Sequence, residues 1–147
     1  MTQRRTTNKA GVDLIRYFES LRLEAYQDIR RVWTVGYGHT GHDVVPGQTI
    51  SETQANMLLA SDLERFERGV ERLLNGPAVS DNAFSALVSF VYNLGLGALA
   101  TSTLLKYINS GSIQQAADEF LKWDHVGKTE IAGLLARRRA ERELFLK

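Results

Sequence analysis

Glu19, Asp28 and Thr34 lie within sixteen residues of one another in this 147-residue chain and lead directly into Val35-Gly36-Tyr37-Gly38-His39-Thr40. Two carboxyl groups and a hydroxyl at the junction of a helix and a hairpin can do acid/base work on a glycosidic bond. One carboxyl protonates the leaving oxygen, the other orients a water, and the hydroxyl helps to hold that water. Phe18 and Leu21 flank Glu19, and an apolar setting raises a carboxyl pKa and favours the acid form; a nearby Arg16 or Arg22 would act in the opposite sense. Asp28 stands nine positions after Glu19, enough for the chain to leave a helix and fold back across a cleft. The triple alone is a weak motif, because each residue type is also common at helix ends, turns and strands respectively.

These residues require elements to position them. Val12, Ile15, Phe18 and Leu21 share one helical face, with Asn8 as N-cap, so a helix is predicted to run from about Asn8 to Glu19, after a loose tail over residues 1–8. Val32-Trp33-Thr34-Val35, followed by Gly36, Gly38 and Gly41, predicts a short antiparallel sheet with tight turns. Thr49 or Ser51 could cap the next helix, with Gln54 at capping-box spacing from Ser51, ahead of an apolar stripe reaching Asn75, which predicts a long helix over about 51–75. The remainder reads as all-helical: an apolar helix from Ala83 to Leu94 capped by Ser80 or Asp81, shorter helices near 101–109 and 112–122, and a last helix from Ala132 to Phe145. The fold class is therefore α+β and mostly helical. It is a single domain over 1–147, with an N-terminal lobe at about 10–55 that holds the small sheet, the connecting helix, and a helical C-terminal lobe at about 77–147.

Composition sets bounds on function. The net charge is +1 and the charged fraction 24%, so no global field calls for nucleic acid or an acidic lipid surface. There are no cysteines, which removes disulfides, cysteine zinc sites and a cysteine nucleophile. No apolar stretch follows the basic Arg4-Arg5, so no signal peptide is recognised, and no run approaches a membrane span. Arg137-Arg138-Arg139 is spread around its helix by steps of about 100°. Solubility plus one inward ion pair explains it better than nucleic-acid binding. His39 has no partner histidine at metal-ligand spacing, and a metal is not expected.

The spacing Glu19-x8-Asp28-x5-Thr34, joined to Val35-Gly36-Tyr37-Gly38-His39-Thr40-Gly41, resembles the phage-type lysozymes, the endolysins of glycoside hydrolase family 24. The likeness continues in Asp43-Val44, Gly47-x-Thr49-Ile50-Ser51-Glu52-x-Gln54-Ala55 and Leu58-Leu59-x-x-Asp62. It reappears in Ala83-Phe84-x-Ala86-Leu87-Val88-Ser89-Phe90-Val91-Tyr92-Asn93-Leu94-Gly95 and in Gly133-Leu134-x-x-Arg137-Arg138-x-x-Glu141-x-x-Leu144-Phe145. It covers about residues 10 to 147.

The resemblance implies a lysozyme-like two-lobed fold and a muramidase that cuts the β-1,4 bond between N-acetylmuramic acid and N-acetylglucosamine in peptidoglycan, with inversion. Glu19 would be the general acid, and Asp28 and Thr34 would hold the hydrolytic water. It places Thr40, Tyr92 and Asn93 on the saccharide cleft, where packing and capping are an equal reading for Tyr92 and Asn93. It pairs His39 with Asp62 as a structural ion pair, and sets one of Arg137 and Arg138 near Glu19.

No cofactor is implied, and the expected state is a monomer. The expected location is the host cytoplasm, with release to the wall or periplasm at lysis through a holin-type pore. One departure stands out: the family commonly has glycine three residues after the Asp, where this chain has Arg31. Arg30 and Arg31 read either as a solvated turn or as contacts for anionic wall polymers. The competing functions are a lytic transglycosylase, which needs no water-holding carboxylate, and a non-catalytic wall-binding or membrane-disrupting protein.

Overall fold

Asn8 opens the first helix with its side chain, Oδ1 accepting from Gly11 N at 3.0 Å, as an N-cap does when it satisfies one of the orphan amides of the first turn. The computed structural model describes residues 4–126, 129–130 and 132–147. The elements in order are α1 (Lys9–Glu19), β1 (Arg22–Gln27), β2 (Trp33–Gly36), β3 (His39–Thr40), α2 (Glu52–Leu73), α3 (Asp81–Leu94), α4 (Leu96–Ala100), α5 (Thr103–Asn109), α6 (Ile113–Glu119), a 3-10 turn (Phe120–Lys122), β4 (His125–Val126), β5 (Thr129–Glu130) and α7 (Ala132–Leu146). Two compact units form, one from Ile15–Arg65 and one from Met1–Leu14 with Phe66–Lys147.

The Ile15–Arg65 unit is built on the antiparallel sheet β1-β2-β3. The outer edge of β1 is covered by the strand-like segment at Thr49, with Ala25 N donating to Gln48 O at 2.8 Å and Ile50 N to Leu23 O at 2.9 Å. Beneath the sheet Ala25, Val35 and Val44 are buried together, with Trp33, Ile50 and Leu58 packed on them. Val35 and Trp33, two residues apart on β2, reach this core from one face of the sheet. α2 starts with the reciprocal bonds of a capping box, Ser51 N to Gln54 Oε1 at 2.8 Å and Gln54 N to Ser51 Oγ at 3.1 Å.

In the other unit α3 is buried over the whole stretch Ala83–Val91. That is what a helix apolar on every side must do. Ser80 caps it, its Oγ accepting from Ala83 N at 3.0 Å. Phe90 meets Phe120 and Trp123 edge-on at 5.6 and 5.5 Å, and Phe120 meets Phe145 at 5.3 Å. Each such ring contributes about 1.5–3 kcal/mol by leaving water. The end of α2 is fastened by Asn109, whose Nδ2 donates to Leu73 O at 3.1 Å while its Oδ1 accepts from Asn75 N at 3.0 Å. Gly76 is required here, because a Cβ would lie 2.1 Å from the Asn109 carbonyl oxygen.

Three expectations are corrected. Of the predicted loose tail, residues 4–8 lie within the described structure and are held in place. Thr7 donates from both N and Oγ1 to Glu67 Oε2 at 2.7 Å, Asn8 N donates to Ser85 Oγ at 2.9 Å, and Arg5 Nη2 donates to Val79 O at 2.9 Å. The C-terminal stretch is not all-helical, since β4 and β5 form a two-stranded antiparallel ladder. Two-residue strands carry no period for a sequence to show. Finally, two arginines of α7 turn inward rather than one: Arg137 and Arg138 are 3% and 0% exposed, around a fully buried Glu141.

Candidate active site

Glu19 is the last residue of α1, and the chain leaves the helix abruptly because Ser20 takes a φ of 60°. Ser20 N still donates to Arg16 O at 3.1 Å, so one terminal carbonyl is satisfied by the exit itself. Arg16 is engaged elsewhere, donating to Asn56 Oδ1 at 2.6 Å and lying 5.7 Å above the Tyr37 ring.

Asp28 opens the turn between β1 and β2 and closes it with its own side chain. Its Oδ1 accepts from Arg30 N at 2.8 Å and Val32 N at 2.9 Å, while Arg31 N donates to Asp28 O at 2.8 Å. This side-chain turn fixes one carboxylate oxygen and leaves Oδ2 without a hydrogen bond among the described residues. Arg31, with φ 63°, occupies the left-handed region that glycine enters without cost. The turn therefore keeps the positive-φ conformation even though an arginine stands there.

Val32 links Asp28 to Thr34. Its carbonyl accepts from Asp28 N at 3.0 Å and from Thr34 Oγ1 at 2.9 Å. Thr34 is 3% exposed. Having given its proton to Val32, the hydroxyl is oriented to accept a hydrogen bond. Across the ladders Thr34 pairs with Tyr26 of β1 and with Thr40 of β3. Directly paired residues share a face, so Tyr26, Thr34 and the exposed Thr40 form a row.

Tyr26 belongs to this site and was not singled out by sequence reasoning. Burial raises its phenol pKa, and the charges of Glu19 and Asp28 raise it further, against the pull of Arg22. One side chain thus senses both carboxylates. Its ring lies 4.2 Å from the Arg22 guanidinium. The available signal was its place one strand across from Thr34.

His39 has a carboxylate on each ring nitrogen: Nδ1 is 2.7 Å from Asp62 Oδ2, and Nε2 is 2.9 Å from Asp43 Oδ2. A neutral imidazole has a single N–H, so both contacts are hydrogen bonds only in the imidazolium. Burial lowers the His39 pKa, but the bonds to Asp62 and Asp43 outweigh it and leave it raised; Asp43 is lowered, mainly by its bond to His39. Asp43 was not recognised as a second partner, although its spacing four residues from His39 was visible.

Asn93 Oδ1 accepts from Arg138 Nη2 at 2.9 Å, and the Tyr92 ring meets Phe66 at 5.5 Å. Both residues end α3 half-buried. Behind Asn93, Arg138 Nε stands 2.7 Å from Glu141 Oε1, Arg137 Nε 3.3 Å from Glu141 Oε2, and Ser89 Oγ donates to Glu141 Oε2 at 2.5 Å. Burial raises the Glu141 pKa, and Arg138, Arg137 and Ser89 pull against it. Among the described residues no group of His, Cys, Asp or Glu is arranged to hold a metal ion, and no helix is long and apolar enough to cross a membrane.

Residues 16–141 match the family described as phage lysozyme. An endolysin of Bacillus phage B103 is 50% identical over 141 residues, covering 95% of this chain and 53% of that protein, so the chain spans about half the length of this curated relative. The solved muramidase domain of SpmX from Asticaccaulis excentricus superposes with a TM-score of 0.90 at 35% identity, covering 98% of this chain and 99% of that one. A phage P22 lysozyme mutant superposes with a TM-score of 0.84 at 38% identity, covering 97% and 99%.

Proposed function

The chain belongs to the phage lysozyme family, and from that premise we propose that it hydrolyses the β-1,4 bond between N-acetylmuramic acid and N-acetylglucosamine in peptidoglycan. Glu19 gives its proton to the bridging oxygen as the glycosidic bond breaks. A water attacks the anomeric carbon from the opposite face, losing one proton to Asp28 Oδ2 while Thr34 Oγ1 accepts a hydrogen bond from the other. Attack from the opposite face inverts the anomeric configuration.

The observation that carries this reading is the Val32 tether. A single residue fixes Asp28 through one of its carboxylate oxygens and aims the Thr34 lone pairs. That is the preorganisation a held water needs.

Thr40, Tyr92 and Asn93 are assigned to saccharide binding. Asn93 Oδ1 is taken by Arg138, which leaves its amide N–H₂ to donate to an N-acetyl carbonyl. The biological setting is host-cell lysis, with the protein acting as a monomer and reaching the wall from the host cytoplasm through a holin-type pore.

The deciding experiment is mass spectrometry of the sugar ends released from purified peptidoglycan, with Glu19→Gln and Asp28→Asn in parallel. Reducing N-acetylmuramic acid ends, lost in both variants, support the hydrolase. Anhydro ends, with Asp28→Asn still active, would make the protein a lytic transglycosylase.

A further inference from the structure

The turn between β1 and β2 carries more than Asp28. Arg30 and Arg31 are both exposed, and among the described residues neither guanidinium has an ion pair or hydrogen bond. Other arginines of the chain are engaged: Arg5 with Asp81 at 3.0 Å, Arg142 with Asp118 at 2.8 Å, Arg68 with Glu71 at 2.8 Å. The apolar neighbours Ile29 and Val32 are 86% and 42% exposed, so two cations are set between two aliphatic side chains in water.

The backbone that bears them is a hydrogen-bonded turn. It is closed by the Asp28 bonds described above and by Gln27 Nε2, which donates to Arg31 O at 3.3 Å. Arg31 also sits in a conformation that favours glycine. Strain kept at an exposed position, where a smaller residue would relieve it, directs attention to what the side chain contacts.

We propose that this turn binds a carboxylate of the stem peptide carried by the substrate, with Arg30 and Arg31 as its cationic contacts and Ile29 and Val32 as an apolar flank. The proposal rests on the hydrolase reading above. In peptidoglycan the stem peptide is joined to the lactyl group of the same muramic acid whose anomeric carbon is attacked. The anion is therefore tied covalently close to the water that Asp28 would hold. Arg31 belongs to the same turn that fixes Asp28, its N donating to Asp28 O at 2.8 Å, so a carboxylate paired there also sets the sugar relative to that water. Guanidinium groups suit this task because they bind carboxylates through paired N–H donors.

The test compares wild type with Arg31→Gly and with the double variant Arg30→Ala, Arg31→Gly, the glycine being chosen to keep the turn conformation. Three substrates are used, all freed of phosphate polymers: intact peptidoglycan, the same material with its carboxylates amidated, and glycan strands stripped of peptide. The expected result is a rise in KM of about three- to tenfold for the double variant on intact peptidoglycan, shrinking at high salt, with no difference from wild type on the other two.

An equal loss on all three substrates, or no loss on any, would overturn the proposal. A loss appearing only when phosphate polymers are restored would overturn it in favour of those polymers. Sedimentation of the Glu19→Gln protein, with and without the arginine changes, on intact and amidated sacculi gives a readout without turnover. If wild type releases no sugar ends at all, the hydrolase reading fails, and this binding comparison still decides for or against the arginines.

Discussion

Thr34 and Thr40 stand directly opposite one another in the β2–β3 ladder, one buried and the other exposed. The pair gives the sheet two hydroxyls with different partners. Thr34 has its proton committed to Val32 O at 2.9 Å. Thr40 is open to a ligand. Thr34→Val keeps the shape but removes the acceptor, and is expected to lower kcat with little change in KM. Thr40→Val is expected to raise KM instead. Steady-state kinetics on soluble glycan separates the two, and the same pattern for both variants would refute the division of labour.

Glu19→Gln is expected to fold with an unchanged melting temperature and to lose about 10²–10⁴ in kcat, the usual worth of a general acid. Circular dichroism melts and release of reducing ends test this together. Full activity in a folded variant would end the role given to Glu19.

Asp28 has two functions that substitution can separate. Asp28→Asn retains Oδ1 as the acceptor for Arg30 N and Val32 N, and so should keep the turn while losing the base. Asp28→Ala should lose both and destabilise by about 1 kcal/mol beyond Asn. Equal melting temperatures for the two would show that the side-chain turn contributes nothing measurable.

His39 makes stability depend on pH with a definite sign. Its folded pKa lies above the unfolded value of about 6.5, so its contribution is full below that value and is lost as pH rises through the folded one. Asp43 acts oppositely: its folded pKa is depressed, so its contribution is present above the ordinary carboxylate value and fades as pH falls through the folded value. His39→Gln should therefore cost most, about 3 kcal/mol, in the mildly acidic range between these limits and progressively less in alkali. Denaturant melts from pH 4 to 9, as an order-of-magnitude span of both titrations, give the curve. A deficit independent of pH would leave packing as its cause.

Arg31→Gly brings two opposing effects. A non-glycine residue in the left-handed region costs about 1–2 kcal/mol, while glycine adds about 0.5–1 kcal/mol of unfolded-chain entropy. The first is larger, so the variant should be more stable by about 0.5–1 kcal/mol, a rise of roughly 1–4 °C in melting temperature. A fall would mean that the arginine side chain stabilises the turn.

What the sequence revealed was local. The caps at Asn8, Ser51 and Ser80 each act within three residues, so the helix starts were readable. The strand bearing Thr34 was readable from its β-branched and aromatic run, but its pairing with Tyr26 was not. What stayed hidden depends on distant partners. Arg5 and Thr7 look like tail residues until Val79 and Glu67 come beside them, 74 and 60 positions away. Arg137 and Arg138 look like surface charge until Ser89 and Asn93 supply the polar walls that let them be buried. The Asp43 bond to His39 depended on the path of the loop from Gly41, which no periodicity describes.

The anchoring of residues 4–8 has a consequence for how the chain assembles. The Ile15–Arg65 unit is continuous and is complete soon after its last residue is made. The other unit takes its first strip from residues up to Leu14 and the rest from Phe66 onward, so this earlier-made strip must wait for Glu67, Val79 and Ser85, which it binds. Pairings of that separation form late, and a ribosome delivers them in that order. A circular permutant that moves residues 1–14 behind Lys147 would remove the wait, and its refolding rate would measure how much of the folding barrier lies in bringing these two separated segments together.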